Sequence, residues 1–548
     1  MTAARASAAA LCALAACAPP DAAPRWRPAG TLAPARGGTL RFAIPTQAFS
    51  LDPTFTSDEL TAYATHALFD TLVAFEPASP ADARAGLRIV PGLAESWDES
   101  ADGLTYRFVL RAGLVYSDGT PVVADDVRAV LERQLRTPGT LGTALLADVE
   151  GAPEVIAGSA PHLAGVTAPT ARELVIQLAR PNASFLSVMT MTFTTPQPAG
   201  RAPDRRAPLG TGPYVLAAWD EGERLVLRKN PRYWDAAHVY LDEIDMLENI
   251  APDTQFLMFE RGELDTAQRL DAPDALWIQQ QAAWAPYVWR RPTLSAFGSR
   301  MNVRVKPFDD RRVRQALNYA LDKSHTVKLL QGAATIAHGV LPPGLLGRDD
   351  ALAPYPHDPV KARALLAEAG YPDGFDVDYL IMANDEASRL AASLQADLAE
   401  VGVRVHVRSV AFATYATEIA SAHGAPFAKA TWLFDYPDPA NVFDTEFHSR
   451  GIPADGEGAT NIAFYATPEL DALLDAARGE RDLEARAAMY RRAERIVYDD
   501  APWLWDYHQD TIEVVQPYVA GYAPHPVWIR DYTHAWLDVG PDGEPVRR

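Results

Sequence analysis

The chain has 548 residues, 71 of them acidic and 50 basic, for a formal net charge of −21; 48% are hydrophobic and 22% charged. At roughly 100–200 residues per domain this is room for a few domains with sizeable cores, and the composition excludes bulk disorder. The acid excess argues against nucleic acid, which needs clustered Lys and Arg to neutralise phosphates, and against adhesion to an anionic bilayer through a basic face.

Taken from the start, Arg5 precedes a short apolar run from Ala8 to Ala16. The run is far below the ~20 apolar residues that cross a bilayer, and its order is that of a secretory signal. Leu14-Ala15-Ala16-Cys17 matches the lipobox in which a cysteine thiol is acylated and becomes the first mature residue; the other reading is an Ala-rich N-terminus of a cytosolic protein. Cys12 and Cys17 are the only cysteines, so on the first reading residues 1–17 are a lipoprotein signal and the mature body has no disulfide, Cys metal site or thiol nucleophile. Residues 18–36, rich in Ala, Pro and Arg, read as a flexible tether.

The folded part opens at Gly37 with a strand over Thr39–Ile44, a turn at Ser50–Pro53 and a helix over 60–75. Tyr106–Arg111 alternates as a half-buried strand, Asp118-Gly119-Thr120-Pro121 is a scaffold turn, Ala124–Leu135 is a helix with Asp125 and Asp126 in its first turn, and Glu173–Leu178 is a strand. Pro196–Pro208 reads as a connection between domains, and strands follow at 225–230 and 244–250. Past 290 helices lengthen: 310–331 as one helical region, then 359–369, 387–401 and two within 468–498. Strands at 379–382 and 403–407 with the helix between them make a βαβ unit, and Trp503–Val515 returns to strand. The whole reads as mixed α/β.

The chemistry of catalysis is missing. There is no G-x-S-x-G, H-E-x-x-H or phosphate loop, and Gly210-Thr211-Gly212 lacks the third glycine of a dinucleotide site and reads as a turn. Twelve histidines show no helical pair at metal spacing. The pairs Asp125-Asp126, Asp309-Asp310 and Asp499-Asp500 sit beside helix ends and read as caps rather than an acid–base couple. Trp432, Trp503 and Trp505 read as core packing or as a ligand platform.

Five blocks in order then resemble one family. They are Val90–Trp97 with Asp102–Phe108, Leu110–Val127, Gly210–Tyr214 with Asn230–Trp234, Phe308–Lys323, and Trp432–Pro439 with Asn461–Leu474. Together they are similar to the family-5 extracellular solute-binding proteins, the peptide-, oligopeptide- and nickel-binding components of ABC importers. The resemblance spans about Gly37 to Asp510. It implies a two-lobed periplasmic-binding-protein type α/β fold, class II-like, with hinge closure and an extra inserted domain. On that pattern lobe I is 37–75 plus 207–290 plus 500–540, the extra domain II is 76–206, and lobe III is 291–499.

The resemblance also implies the function: a lipid-anchored, extracytoplasmic, monomeric receptor, not an enzyme. It would bind a small peptide or peptide-like solute between the lobes and deliver it to a permease and ATPase complex. It would need no cofactor or metal, take no nucleic acid, and touch the membrane only through Cys17. Alternatives are an oligosaccharide or metal-chelate receptor, a sensory binding protein or, further off, a cell-envelope peptidase. Family peptide binders carry a carboxylate in a W-x-x-D pattern that meets the ligand ammonium, which here falls on Trp432 and Asp435. Trp432 would stack on a ligand side chain, Leu433 would pair through its backbone, and Phe49 and Ser50 would contribute from the first lobe. Asp435 favours an amine over a nickel chelate. Where dipeptide binders carry an Arg for the ligand carboxylate, this chain has Met382-Ala383-Asn384-Asp385-Glu386; Arg389 and Arg404 lie nearby in sequence.

Overall fold

The computed structural model describes residues 23–24, 26, 28–29, 33–55, 59–77, 86–201, 203–268, 270–527 and 532–540. The readings of residues 1–17, Cys17 included, lie outside these residues.

In chain order, β1 (Thr39–Ala43) leads to α1 (Glu59–Leu68) and β2 (Val73–Phe75). The helix expected over 60–75 therefore stops at Leu68. The Gly210–Gly212 loop crosses its end: the Gly212 N–H donates to the Leu68 carbonyl at 3.0 Å, and a Cβ on Gly210 would stand 1.9 Å from that oxygen. The loop takes a carbonyl the helix leaves free, and only glycine fits so close an approach.

β3 (Ile89–Pro91) pairs with β2, and β4 (Ala94–Glu99), β5 (Thr105–Leu110), α2 (Ala124–Arg136), β6 (Val166–Thr167) and β7 (Glu173–Gln177) follow. These last four strands form an antiparallel sheet in the order β4-β5-β7-β6, with Phe108, Leu110, Leu174 and Ile176 buried together with Val127 and Leu131 of α2. Next come β8 (Tyr214–Asp220), β9 (Arg224–Lys229) and β10 (Glu243–Leu247), which with β1 make a second sheet in the order β1-β10-β9-β8. Its core is Leu40, Phe42, Leu225, Leu227, Ile244 and Met246 against Tyr63 and Ala64 of α1.

The remainder builds an eight-stranded sheet. α3 (Pro252–Arg261), β11 (Thr266–Ala267), α4 (Ala272–Gln280), β12 (Val288–Pro292) and β13 (Ser295–Met301) lead into α5 (Arg311–Ala320), α6 (Lys323–Leu329) and β14 (Ala334–Ile336). Then follow α7 (Pro359–Glu368), β15 (Asp376–Met382), α8 (Asp385–Ala399), β16 (Arg404–Val410), α9 (Phe412–Ile419), β17 (Phe427–Leu433), α10 (Pro468–Gly479), α11 (Leu483–Asp500) and β18 (Trp503–Val515). The order is β11-β18-β13-β17-β15-β16, with β12 and β14 also on β18. The expected βαβ unit is β15-α8-β16. The one helical region expected over 310–331 is broken into α5 and α6, because Asp310 caps the first, accepting from the Arg312 N–H, and Asp322 caps a second start through the Ser324 N–H.

Trp503 and Trp505 are wholly buried, stack on each other at 5.8 Å and lie tilted against Phe447, so they are core residues. Asp500 does not cap an N-terminus. It closes α11, where the dipole disfavours an anion, and is satisfied by Tyr465 at 2.6 Å and Arg311 at 3.3 Å.

Candidate ligand-binding site

β15 lies between two parallel neighbours, β16 and β17. The crossover helix α8 packs Ala391, Leu394 and Leu398 with Val377, Tyr379, Ile381 and Val405. The next crossover, α9, packs Tyr415 and Ile419 with Leu380 and Ala428, residues of the alternate set and hence of the other face. The chain leaves β15 on one side and returns on the other. Such a switch point opens a crevice at the carboxyl ends of the strands, which is where open α/β sheets bind ligands. Here those ends are Met382, Val410 and Leu433.

Two residues past Leu433 stands Asp435. Its Oδ2 accepts from Asn441 Nδ2 at 3.0 Å, its N–H donates to Asn441 Oδ1 at 3.3 Å, and the same Oδ1 accepts from the Trp432 indole at 2.8 Å. One asparagine thus clamps both members of the W-x-x-D pattern. Burial pushes the Asp435 carboxyl up to about 6, with the Asn441 hydrogen bond pulling the other way. Asp435 makes no ion pair, and Oδ1 takes no hydrogen bond from another side chain or N–H, among the described residues. Asn441 carries the geometry but sequence reasoning missed it. Its signal was a polar residue six positions on, at the first turn after Pro437 and Pro439.

A second missed residue is Lys429. On β17 it shares a face with Thr431 and Leu433 and pairs with Ser299. Its ammonium sits 5.8 Å from the Phe297 ring and 5.0 Å from the Tyr507 ring, which stack on each other at 4.6 Å. Burial pushes the amine down, while Asp506 and Glu386 push it up. It makes no hydrogen bond or ion pair among the described residues. A lysine within Phe427–Leu433, where Thr431 is the one other polar residue, was the available signal.

Leu433 is 38% exposed and Trp432 half-buried, both at the crevice. Phe49 and Ser50 stand apart: no hydrogen bond, ion pair or ring contact joins them to Trp432 or Asp435 among the described residues. Phe49 is 62% exposed, its N–H donating to Thr61 Oγ1 at 3.2 Å and its carbonyl accepting from Arg205 at 3.4 Å. Ser50 lines an open hollow of about 630 Å³ with Asp52, Phe55 and Arg205. Arg404 is spent on a bidentate pair with Asp376, at the amino ends of β16 and β15 and so away from the crevice. Arg389 is exposed on α8, and its charge reaches Asp271, the residue that precedes α4.

Residues 88–454 match the bacterial extracellular solute-binding proteins, family 5. The chain belongs to this family. Family-5 members are the extracytoplasmic solute receptors of ABC importers, binding proteins rather than enzymes. The chain is similar to heme-binding protein A of Haemophilus influenzae, 31% identical over 481 residues that cover 80% of this chain and 82% of that one. It is similar to the dipeptide-binding protein of Escherichia coli, 29% identical over 477 residues, 80% and 84% covered. Among solved structures it superposes on the clavulanic acid biosynthesis oligopeptide binding protein 2 with a TM-score of 0.84 at 28% identity, covering 94% and 99% of the two chains. The Helicobacter pylori periplasmic binding protein DppA, in complex with the peptide STSA, gives 0.78 at 25% identity, covering 92% and 99%. These neighbours are two-lobed, and the mixed α/β fold expected from the sequence is the fold observed.

Proposed function

We propose that this solute-binding protein takes a small peptide, with the ligand's ammonium group on Asp435. The observation that carries the reading is the carboxylate itself: clamped by Asn441, only part-exposed, and with Oδ1 left for a donor. A charge-assisted hydrogen bond in such a place is roughly twice as strong as a neutral one. Lys429 is the second anchor. An ammonium held over two aromatic rings with no partner of its own suits the ligand carboxylate, in place of the arginine absent from Met382–Glu386. Trp432 and Leu433 supply contact surface and strand-like backbone pairing, and Phe49 and Ser50 close on the ligand from the opposite lobe.

The peptide class is supported by the dipeptide-binding relative and by the neighbour bound to STSA. The 31%-identical relative named for heme makes heme the second ligand to test. In this reading lobe I comprises 37–75, 207–290 and 500–540, the inserted domain 76–206, and lobe III 291–499. The partition is supported by the β4–β7 sheet falling within the second block and β1, β8, β9 and β10 within the first. The receptor is a monomer held outside the cell membrane through acylated Cys17, and it hands its cargo to a permease and ATPase complex.

A thermal-shift and calorimetric screen of the chain from Ala18, against di- to pentapeptides, heme, nickel chelates and oligosaccharides, tests the reading. A peptide at 100 times its Kd adds about 2.7 kcal/mol of stability, and Asp435→Ala should remove most of that gain. Stabilisation by heme, sugar or chelate alone, or an alanine variant that binds peptides as well as the wild type, would sink the peptide assignment.

A further inference from the structure

The anchor loop is tied to a distant part of the chain. Asp438, three residues beyond Asp435, accepts both terminal guanidinium nitrogens of Arg486 at 2.6 and 2.8 Å, and its backbone carbonyl accepts from the Asn441 N–H at 3.1 Å. Arg486 Nη2 also donates to Ser184 Oγ at 3.1 Å. Ser184 belongs to the stretch just after β7, in the unit built on the β4–β7 sheet. Beside this contact Arg478 pairs with Asp148 of the same unit and with Asp444, and the Ala183 N–H donates to the Arg478 carbonyl at 2.9 Å. Arg486 is 3% exposed, Ser184 2% and Asn441 2%, so no water is at hand to replace a lost partner.

We propose that the β4–β7 unit positions the ligand anchor: Ser184 and Arg486 fix Asp438, Asp438 fixes the start of the Asn441 turn, and Asn441 fixes Asp435 and Trp432. Arg486 is a positioning residue for ligand binding. The physical reason is that a buried bidentate arginine–carboxylate pair tolerates little displacement, and Pro437 and Pro439 fix φ on either side of Asp438, so a shift of that carboxylate is transmitted rather than absorbed. A loosened loop moves the Asn441 amide off its 3.0 Å contact and leaves the Asp435 carboxylate free to turn away from the ligand. This rests on Asp435 as the peptide anchor.

The test uses the double variant Arg486→Met/Asp438→Asn, which removes the pair without leaving a buried charge, and the milder Ser184→Ala, which keeps the ion pair. Two readouts are followed. Calorimetry with tri- and tetra-alanine should show a tenfold or greater loss of affinity in the double variant and a smaller loss in Ser184→Ala. The same double change made in Asp435→Asn should cost less than twofold. Carboxyl NMR of Asp-labelled protein, with the Asp435 signal assigned by its loss in Asp435→Asn, needs no ligand; its titration should rise above about 6 in the double variant, because the Asn441 hydrogen bond that favours the anion is lost. An unchanged titration overturns the proposal, whatever the peptide results. So does a loss of melting temperature with affinity intact, or an equal cost with and without the Asp435 carboxylate. Absence of peptide binding to the wild type, with the titration moved as expected, overturns the peptide reading and leaves the positioning role standing.

Discussion

Asp435 holds its proton more tightly than an ordinary carboxyl because burial disfavours the anion, so it titrates near 6 in the free protein. A bound ammonium favours the anion. Peptide affinity should therefore peak near pH 7 and fall by up to tenfold per unit as pH drops below about 6, where binding must first expel the proton, and fall again above about 8, where the peptide's amino group loses its charge. The unliganded protein responds in the opposite sense. With a folded pKa above the unfolded one, this group's contribution to stability is full below the ordinary carboxylate range and is lost as pH rises through about 6. Calorimetry from pH 5 to 8 should show the slope in the wild type and none in Asp435→Asn, and a slope that persists in the variant would place the titrating group elsewhere. The W-x-x-D pattern was legible because four consecutive residues carry it. Asn441 and Lys429 were not, because their roles depend on how a loop folds back and on which two rings β13 and β18 bring beneath one lysine.

Among elements, the βαβ unit and β18 could be read from alternation and helical spacing. β13 and β17 could not. β13 is covered on both faces in the middle of the large sheet, so the inside-outside alternation that marks a strand is absent, and the open face of β17 mixes Phe427 and Leu433 with Lys429 and Thr431, which blurs it. β13 also carries Gly298, where a Cβ would meet the Leu504 carbonyl at 2.2 Å, and Arg300, opposite Trp503. Arg300 is wholly buried and its three guanidinium nitrogens have no partner among the described residues, nor has Glu446 Oε2 in the turn before His448. Burial pushes Glu446 up to about 8 and Arg300 down to about 10. Glu446 thus contributes stability below its ordinary range that is lost as pH rises through about 8. Melting temperatures should decline from pH 5 to 9 in the wild type and less steeply in Glu446→Gln, with the variant the more stable at pH 9. Parallel curves would show that Glu446 is ionised throughout.

For the whole molecule, the crevice at the carboxyl ends of β15 and β17 demands a second wall, and in a two-lobed receptor that wall arrives by closure. Small-angle scattering should show the radius of gyration falling on saturation with a peptide that stabilises the wild type, with no change for Asp435→Ala at the same peptide concentration. A wild-type radius indifferent to a peptide that binds would argue for a preformed, closed pocket.

β18 begins beside β13 in the centre of the large sheet and ends on β11 and β12, with Val514 buried against Ala43 of β1. Together with β12 and β13 it forms a pair of side-by-side antiparallel ribbons running from one core to the other. Such a pair behaves as a leaf spring: it flexes across its pleat at little cost, but sliding one ribbon along the other would break the ladder all at once. The protein is thereby left with essentially one mechanical freedom, an angle. A ladder that bends but does not slide lets the two cores it joins swing toward and away from each other with little lateral play.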